Sequence, residues 1–132
     1  MNTNIPDYVQ GHNLLAGKTV LVTAAAGAGI GFAAAKRAAE EGASALFIAD
    51  IHEGRLAKAA QTLEGETGLK THTQLCNVTD ETDVQALISA AVEKMGHVDV
   101  LINNAGLGTS KKLVDMEDDE GNKVIDLTLN GT

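Results

Sequence analysis

Thr19-Val-Leu-Val22 is apolar and largely β-branched on both faces, and it stops at a loop of small residues, Thr23-Ala-Ala-Ala-Gly27-Ala-Gly29-Ile-Gly31. A strand with no polar face must be covered on both sides, which calls for a parallel sheet between helical layers. A helix follows from about Gly31, with Phe32, Ala35 and Ala39 on one side and Lys36, Arg37, Glu40 and Glu41 on the other. Gly42 ends it. Strand, small-residue turn and helix in immediate succession form the opening unit of an alternating β/α chain.

The unit recurs. Ala45-Leu-Phe-Ile-Ala49 is the second strand, with Asp50 at its carboxyl end, and Glu53 to Glu64 is a helix with Leu56, Ala59, Ala60 and Leu63 inward. Gly65 and Gly68 are expected to break that helix. Strand three spans about Lys70 to Cys76. The next helix is the clearest: Val84, Leu87, Ile88, Ala91, Val92 and Met95 recur at helical spacing, with Thr79 as N-cap and Asp80, Glu81 and Asp83 at the positive end of the dipole. Val98 to Ile102 is a fourth strand running into Asn103-Asn-Ala-Gly106, and a last helix starting between Asp115 and Asp118 carries Val124 and Leu127.

Right-handed crossovers put the strands in spatial order 3-2-1-4, leaving the fourth strand at an edge although its composition suits a sheet centre. The fold expected is α/β, a Rossmann-type doubly wound parallel sheet truncated after about four strands. Residues 1–17 are polar and read as a surface arm, and residues 18–132 form the one domain that 132 residues accommodate.

Charge and composition exclude several functions. A net charge of −8 repels nucleic acid and anionic membranes, and 2% aromatic content leaves no stacking platform for single strands. Neither nucleic acid nor membrane is expected as a partner. One cysteine, Cys76, permits no internal disulfide and suits a reducing compartment, and no apolar leader precedes the domain, so a cytoplasmic location is expected. His12, His52, His72 and His97 lack metal-ligand spacing and read as surface residues, so no metal is expected.

The glycine loop lies where a phosphate-binding turn must be. Its residues carry nothing large enough to hold a pyrophosphate off the backbone, and the helix start supplies free N–H groups. No Gly-Lys-Ser/Thr ends the turn, which disfavours a Walker-type loop. Asp50 stands 19 residues beyond Gly31, near the offset of ~20 at which an acid reaches ribose hydroxyls; the alternative is a solvated strand-end carboxylate. Asn77, after strand three, offers either an amide for an adenine edge or a simple turn residue. Asn103 to Gly106 faces the same crevice, where Asn amides can tie strand ends together and Ala105 and Gly106 let the backbone approach a cofactor sugar. Ser110, Lys111 and Lys112 border either a substrate mouth or a solvated loop.

Together, the glycine loop, Asp50, Asn77-Val78 and Asn103 to Gly106 resemble the short-chain dehydrogenase/reductase family, over roughly Leu15 to Thr132. The resemblance implies a Rossmann fold, NAD or NADP as cofactor, and hydride exchange with a secondary alcohol or ketone. It places Gly27, Gly29, Ile30 and Gly31 in the phosphate turn, Asp50 on the ribose, Asn77 and Val78 at the adenine, and Asn104, Ala105 and Gly106 at the nicotinamide-side ribose. Asp50 favours NAD, with NADP the lesser alternative.

There are departures. The family turn usually begins Thr-Gly, whereas Thr23-Ala24 stands here in a longer loop resembling an actinobacterial-type branch, which points to acyl-CoA-linked or steroid-derived substrates. Asn77 stands where an acid is common, Gly121 where a bulky aromatic is common, and Thr128 where the family has its catalytic Asn. The family's Tyr and the Lys four residues on fall beyond Thr132, and the only tyrosine, Tyr8, is followed at that spacing by His12. No catalytic residue is therefore assigned; the 132-residue chain alone is expected to be inactive, and a full-length parent to be a homo-oligomer. Two rivals remain: a non-catalytic nucleotide-binding module or truncated gene product, and a methyltransferase, against which Asn103 to Gly106 argues.

Overall fold

The computed structural model of the chain describes residues 4–132. Strands β1 (Thr19–Thr23), β2 (Ala45–Asp50), β3 (Thr71–Leu75) and β4 (Val100–Ile102) form one parallel sheet in the order β3-β2-β1-β4. Helices α1 (Ile30–Glu40), α2 (Glu53–Thr67) and α3 (Glu81–Met95) are the crossovers, and α4 (Asp118–Ile125) follows β4. The architecture is the doubly wound α/β plan, in the strand order that right-handed connection requires.

Two cores explain why these segments settle as they do. On one face Val20, Val22, Leu46 and Ile48 meet Ala35 and Ala38 of α1 and Leu56 and Leu63 of α2. On the other, Leu21, Phe47 and Ala49 meet Leu87 and Ala91 of α3. Alanines on the helix faces, Ala35 and Ala38 of α1 and Ala59 and Ala60 of α2, form the core with the sheet's Val, Leu and Ile side chains. Each fully buried leucine or isoleucine contributes about 1.5–3 kcal/mol.

Several expectations are corrected. Ala38, not Ala39, is the buried alanine of α1's last turns. Gly65 does not break α2; the helix runs through it to Thr67 and ends on Gly68, whose φ of 72° supplies the left-handed cap. Asp80, not Thr79, caps α3, accepting from the N–H groups of Thr82 and Asp83 at 2.8 and 3.3 Å. Thr79 instead donates its hydroxyl to Asn77 Oδ1 at 2.8 Å. Ile88 and Val92, which share the helical apolar spacing, are exposed, because α3 turns only Leu87 and Ala91 fully onto the sheet.

Strands three and four are shorter than expected. Before β4, side chains reinforce a backbone bond from Asp99 N–H to the Thr19 carbonyl at 3.2 Å: Asp99 Oδ2 accepts Thr19 N–H at 2.9 Å, and Thr19 Oγ1 donates to the His97 carbonyl at 2.8 Å. The last helix tolerates Gly121 because Glu117 and Glu120 close a reciprocal capping box at its start, and beyond Ile125 it widens into a π-helical turn, Asp126–Asn130.

Residues 1–3 of the expected arm lie outside the described residues. The rest of the arm is pinned by a side chain assigned to the solvent face of α1. Glu41 is only 4% exposed; its Oε2 accepts the His12 and Leu14 N–H groups at 2.7 and 3.1 Å, and Arg37 pairs with Oε1 at 2.5 Å. Those two backbone donors, then Arg37, hold its carboxyl below the usual range.

Candidate functional site

The carboxyl ends of the four strands share one crevice edge, and the turn from β1 to α1 is shaped by its neighbours. Ala25 N–H donates to the Ala49 carbonyl at 3.2 Å and Ala26 N–H to Asp50 Oδ2 at 3.0 Å, so β2 and its terminal acid hold the turn in place. Ala24 takes φ 51°, a left-handed conformation costly for a residue with a Cβ, and Gly27 takes φ 148°. A Cβ on Gly27 or Gly29 would meet nothing within 4 Å, which leaves open space above the turn. Gly29 caps α1 without a side chain, and the first backbone N–H bonded back is that of Ala33, to the Gly29 carbonyl at 3.1 Å. The N–H groups of Ile30, Gly31 and Phe32 thus precede the helical ladder beside that space, the arrangement that accepts an anion.

Asp50 accepts His52 N–H on Oδ1 at 3.1 Å as well as Ala26 N–H on Oδ2. A carboxylate has about four lone-pair positions, so two backbone donors orient it and leave capacity for hydroxyl donors. Asn77 is more committed than its sequence position suggests. Its Oδ1 serves Thr79 N–H and hydroxyl, and its own N–H donates to Asp83 Oδ2 at 3.0 Å, so only its amide nitrogen is left for a ligand. Val78 beside it packs against the α3-side core.

After β4, Asn104 Nδ2 donates to the carbonyls of Thr23 and Ala24, both at 3.1 Å, tying β4 to the strained end of β1. Thr23 Oγ1 accepts the N–H groups of Asn104 and Ala105 at 3.0 and 3.3 Å. In the sequence Thr23 marks only the start of the loop; the signal for its role is a hydroxyl at the end of a strand with no polar face. Thr128 Oγ1 accepts Leu107 N–H at 3.0 Å and donates to the Leu107 carbonyl at 3.2 Å. The structure brings Gly27 to Gly31, Asp50, Asn77-Val78 and Asn104 to Gly106 to the carboxyl edge of one sheet.

The remaining candidates stand elsewhere. Ser110, Lys111 and Lys112 are exposed, and Lys111 pairs with Glu120 at 2.7 Å. Tyr8 donates to Glu40 at the far end of α1, a helix about 16 Å long, away from the crevice. Cys76 is buried, and burial pushes its thiol up, with Asp83 and Asp80 adding to the effect. Among the described residues no group of three His, Cys, Asp or Glu could hold a metal, and no helix is long and apolar enough to cross a membrane. A trough of about 1340 Å³, floored by Leu21, Leu87 and Leu101 and walled by α3 and the last helix, opens into the crevice at Thr23, Asn77 and Val78.

A doubly wound parallel sheet, with a glycine turn between β1 and α1 and an acid ending β2, defines a Rossmann-type α/β domain. The chain belongs to the short-chain dehydrogenase family of oxidoreductases, whose model, described as short chain dehydrogenase, matches residues 18–132. It is 46% identical over 130 residues to a Mycobacterium tuberculosis protein named (5R,7aS)-5-hydroxy-7a-methyl-1-oxo-2,3,5,6,7,7a-hexahydro-1H-indene-carboxyl-CoA reductase, covering 98% of this chain and 49% of the relative. A 3beta-hydroxysteroid dehydrogenase of Mediterraneibacter gnavus is 42% identical over 114 residues, covering 86% of this chain and 40% of that protein. The crystal structure of a short chain dehydrogenase from Mycobacterium smegmatis superposes with a TM-score of 0.90 at 47% identity, covering 96% of this chain and 51% of that one. The chain therefore spans about half the length of the relatives it matches. Among more distant solved structures, one is in complex with NAD and another with NADPH, at 33% and 32% identity.

Proposed function

We propose that this chain is the cofactor-binding portion of an oxidoreductase that moves hydride between NAD(H) and a secondary alcohol or ketone. The observation that carries this reading is the open space above Gly27 and Gly29, set between the leading N–H groups of α1 and the Asp50 carboxylate. A pyrophosphate fits the first feature and an adenosine ribose the second. Gly27, Gly29, Ile30 and Gly31 would hold the phosphates, Asp50 the ribose hydroxyls, and Val78 with the free amide nitrogen of Asn77 the adenine. Asn104, Ala105 and Gly106 would line the nicotinamide-side ribose. The cofactor, when bound, supplies the hydride acceptor, and the protein groups orient it.

NAD is favoured over NADP by the charge of Asp50. Arg55 is the nearest cation in sequence, one turn into α2. The substrate class suggested by the long turn is acyl-CoA-linked or steroid-derived, in keeping with the names of the two relatives described above. A full-length parent would be a homo-oligomer working in the cytoplasm, with no nucleic-acid or membrane partner for so acidic a surface.

The second reading is a nucleotide-binding module without catalysis. Two measurements separate the readings. Thermal shift with NAD, against S-adenosylmethionine as control, tests the site: stabilisation by NAD alone supports it, and stabilisation by S-adenosylmethionine alone removes it. Alcohol-dependent NADH production by a longer parent carrying the Tyr/Lys pair, with none from the 132-residue chain, favours the enzyme, whereas an inert parent that binds NAD favours the module.

A further inference from the structure

The segment ahead of β1 is fastened to the end of α1 that lies away from the crevice. Glu41 Oε2 accepts the N–H groups of His12 and Leu14 at 2.7 and 3.1 Å. Between them Asn13 takes φ 61°, so the two donors converge on one oxygen, as the N–H groups of a backbone nest do on an anion. Arg37, one turn earlier on α1, donates to the Val9 and Gln10 carbonyls at 2.5 and 3.4 Å and to Glu41 Oε1, and its guanidinium lies 5.7 Å from the centre of the Tyr8 ring. Gly11 sits flush against the helix end: a Cβ built there would stand 2.0 Å from the Glu40 carbonyl oxygen.

These contacts are made with little apolar burial. Ile5, Tyr8, Val9 and Leu14 are between 62% and 81% exposed, whereas Val20, Leu21 and Val22 of β1 are fully buried. Leu15, by contrast, packs against the core, and its N–H donates to the Glu41 carbonyl at 2.9 Å. We propose that residues 4–14 form a strap that opens and closes on α1 as one unit, with Leu15 as its fixed end and Arg37 and Glu41 as its lock. Few and polar contacts set its opening well below the cost of unfolding the sheet. The anchors are also joined, because Arg37 and the nest hold the two oxygens of one carboxylate, so that losing either loosens the other. Closed, the strap covers Glu41; open, it presents that carboxylate and the emptied nest to solvent. The lock stands at the opposite end of α1 from the glycine turn, so the strap holds or fails independently of the cofactor reading.

The test follows the full chain by two readouts: chymotrypsin cleavage after Tyr8, which requires the strap to lift, and amide hydrogen exchange at His12 and Leu14. Two variants attack the strap by different chemistry. Gly11→Ala adds a methyl group that the Glu40 carbonyl excludes and leaves every charge in place, whereas Arg37→Met keeps an aliphatic stem and removes the guanidinium donors. In each, cleavage and exchange at both amides should quicken by a common factor of about tenfold, the upper end for one net hydrogen bond, with exchange at Val20, Leu21 and Val22 unchanged. Cleavage that quickens while His12 and Leu14 keep the parent rate would overturn the single unit, since the arm would then fray from its tip. Quickening at β1 by the same factor would overturn it too, because the arm would then open only with the domain. No response to either variant would remove the lock.

Discussion

The side-chain amide of Asn104 occupies the space that a Cβ on Gly31 would need: built there, the Cβ stands 2.5 Å from Asn104 Nδ2 and 2.5 Å from the Ala24 carbonyl oxygen. One glycine thus lets α1 press against the end of β1 while the amide that ties β4 to β1 passes between them. Gly31→Ala must displace the amide or the helix. Overpacking of this kind costs about 1–3 kcal/mol, and a urea midpoint lowered accordingly, together with loss of NAD binding, is the expected result. An unchanged midpoint would mean that the contact yields freely.

Ala24 is strained in the opposite sense, because its φ of 51° suits a residue without a Cβ. Relief of about 1–2 kcal/mol of left-handed strain is offset in part by the greater freedom of glycine in the unfolded chain. Ala24→Gly should therefore raise stability by roughly 0.5–1 kcal/mol, read as a higher thermal midpoint at unchanged fold. A fall would show that the turn relaxes in solution.

Acid should release the arm before it unfolds the sheet. Glu41 is held below the usual carboxylate range by the backbone donors of His12 and Leu14 and by Arg37, so its contribution is present above the unfolded-state value near 4.5 and is lost as pH falls through the lower folded value. Asp99, held down by Thr19 N–H, and Glu120, held down by Lys111, act in the same direction. Subtracting the thermal-midpoint profile of Glu41→Gln from that of the parent between pH 6 and pH 3 isolates the Glu41 part. A difference that shrinks toward acid is expected, and one that is flat or grows would contradict the latch.

The edge of the sheet carries a further consequence. β4 pairs with β1 alone, and Leu101 is 46% exposed beside the trough. An apolar edge with free N–H and C=O groups promotes association of the 132-residue chain. Light scattering across a concentration series should show self-association, reduced by Leu101→Lys; a monomer at every concentration would contradict the expectation.

Legibility in the sequence followed the strength of local signals. β1, β2 and the buried face of α2 were readable because each is a short apolar run or a clean helical period closed by small residues. Their parallel order then followed from handedness alone. What escaped depended on residues far apart in the chain. Glu41 looked like a solvent-facing partner of Lys36 and Arg37, and only the arm crossing the end of α1 buries it. Thr79 and Asp80 are both good caps, and the choice was made by Asn77, which takes the Thr79 hydroxyl. Gly65 carries a helix penalty of about 1 kcal/mol, too little to stop α2 while Leu63 on the same helix is fully buried. At the crevice, the gathering of the glycine turn, Asp50, Asn77 and Asn104 at one sheet edge was legible from the order of strands, but the commitment of Asn77 to its own turn and the threonine hydroxyls on either side of Asn104 to Leu107 were not. These are contacts that span up to 82 residues of chain.

On the function proposed above, the crevice beside Asp50 takes an unphosphorylated dinucleotide. A 2′-phosphate there would bring about two negative charges against the carboxylate, a repulsion of a few kcal/mol in a half-buried site. Isothermal titration of the chain with NAD and with NADP tests this most directly, using Asp50→Asn to remove the charge while keeping an acceptor for Ala26 N–H. NAD should bind at least about tenfold more tightly than NADP, with the gap narrowed in Asp50→Asn. NADP binding as tight as NAD by the unsubstituted chain, or no binding of either, would contradict it.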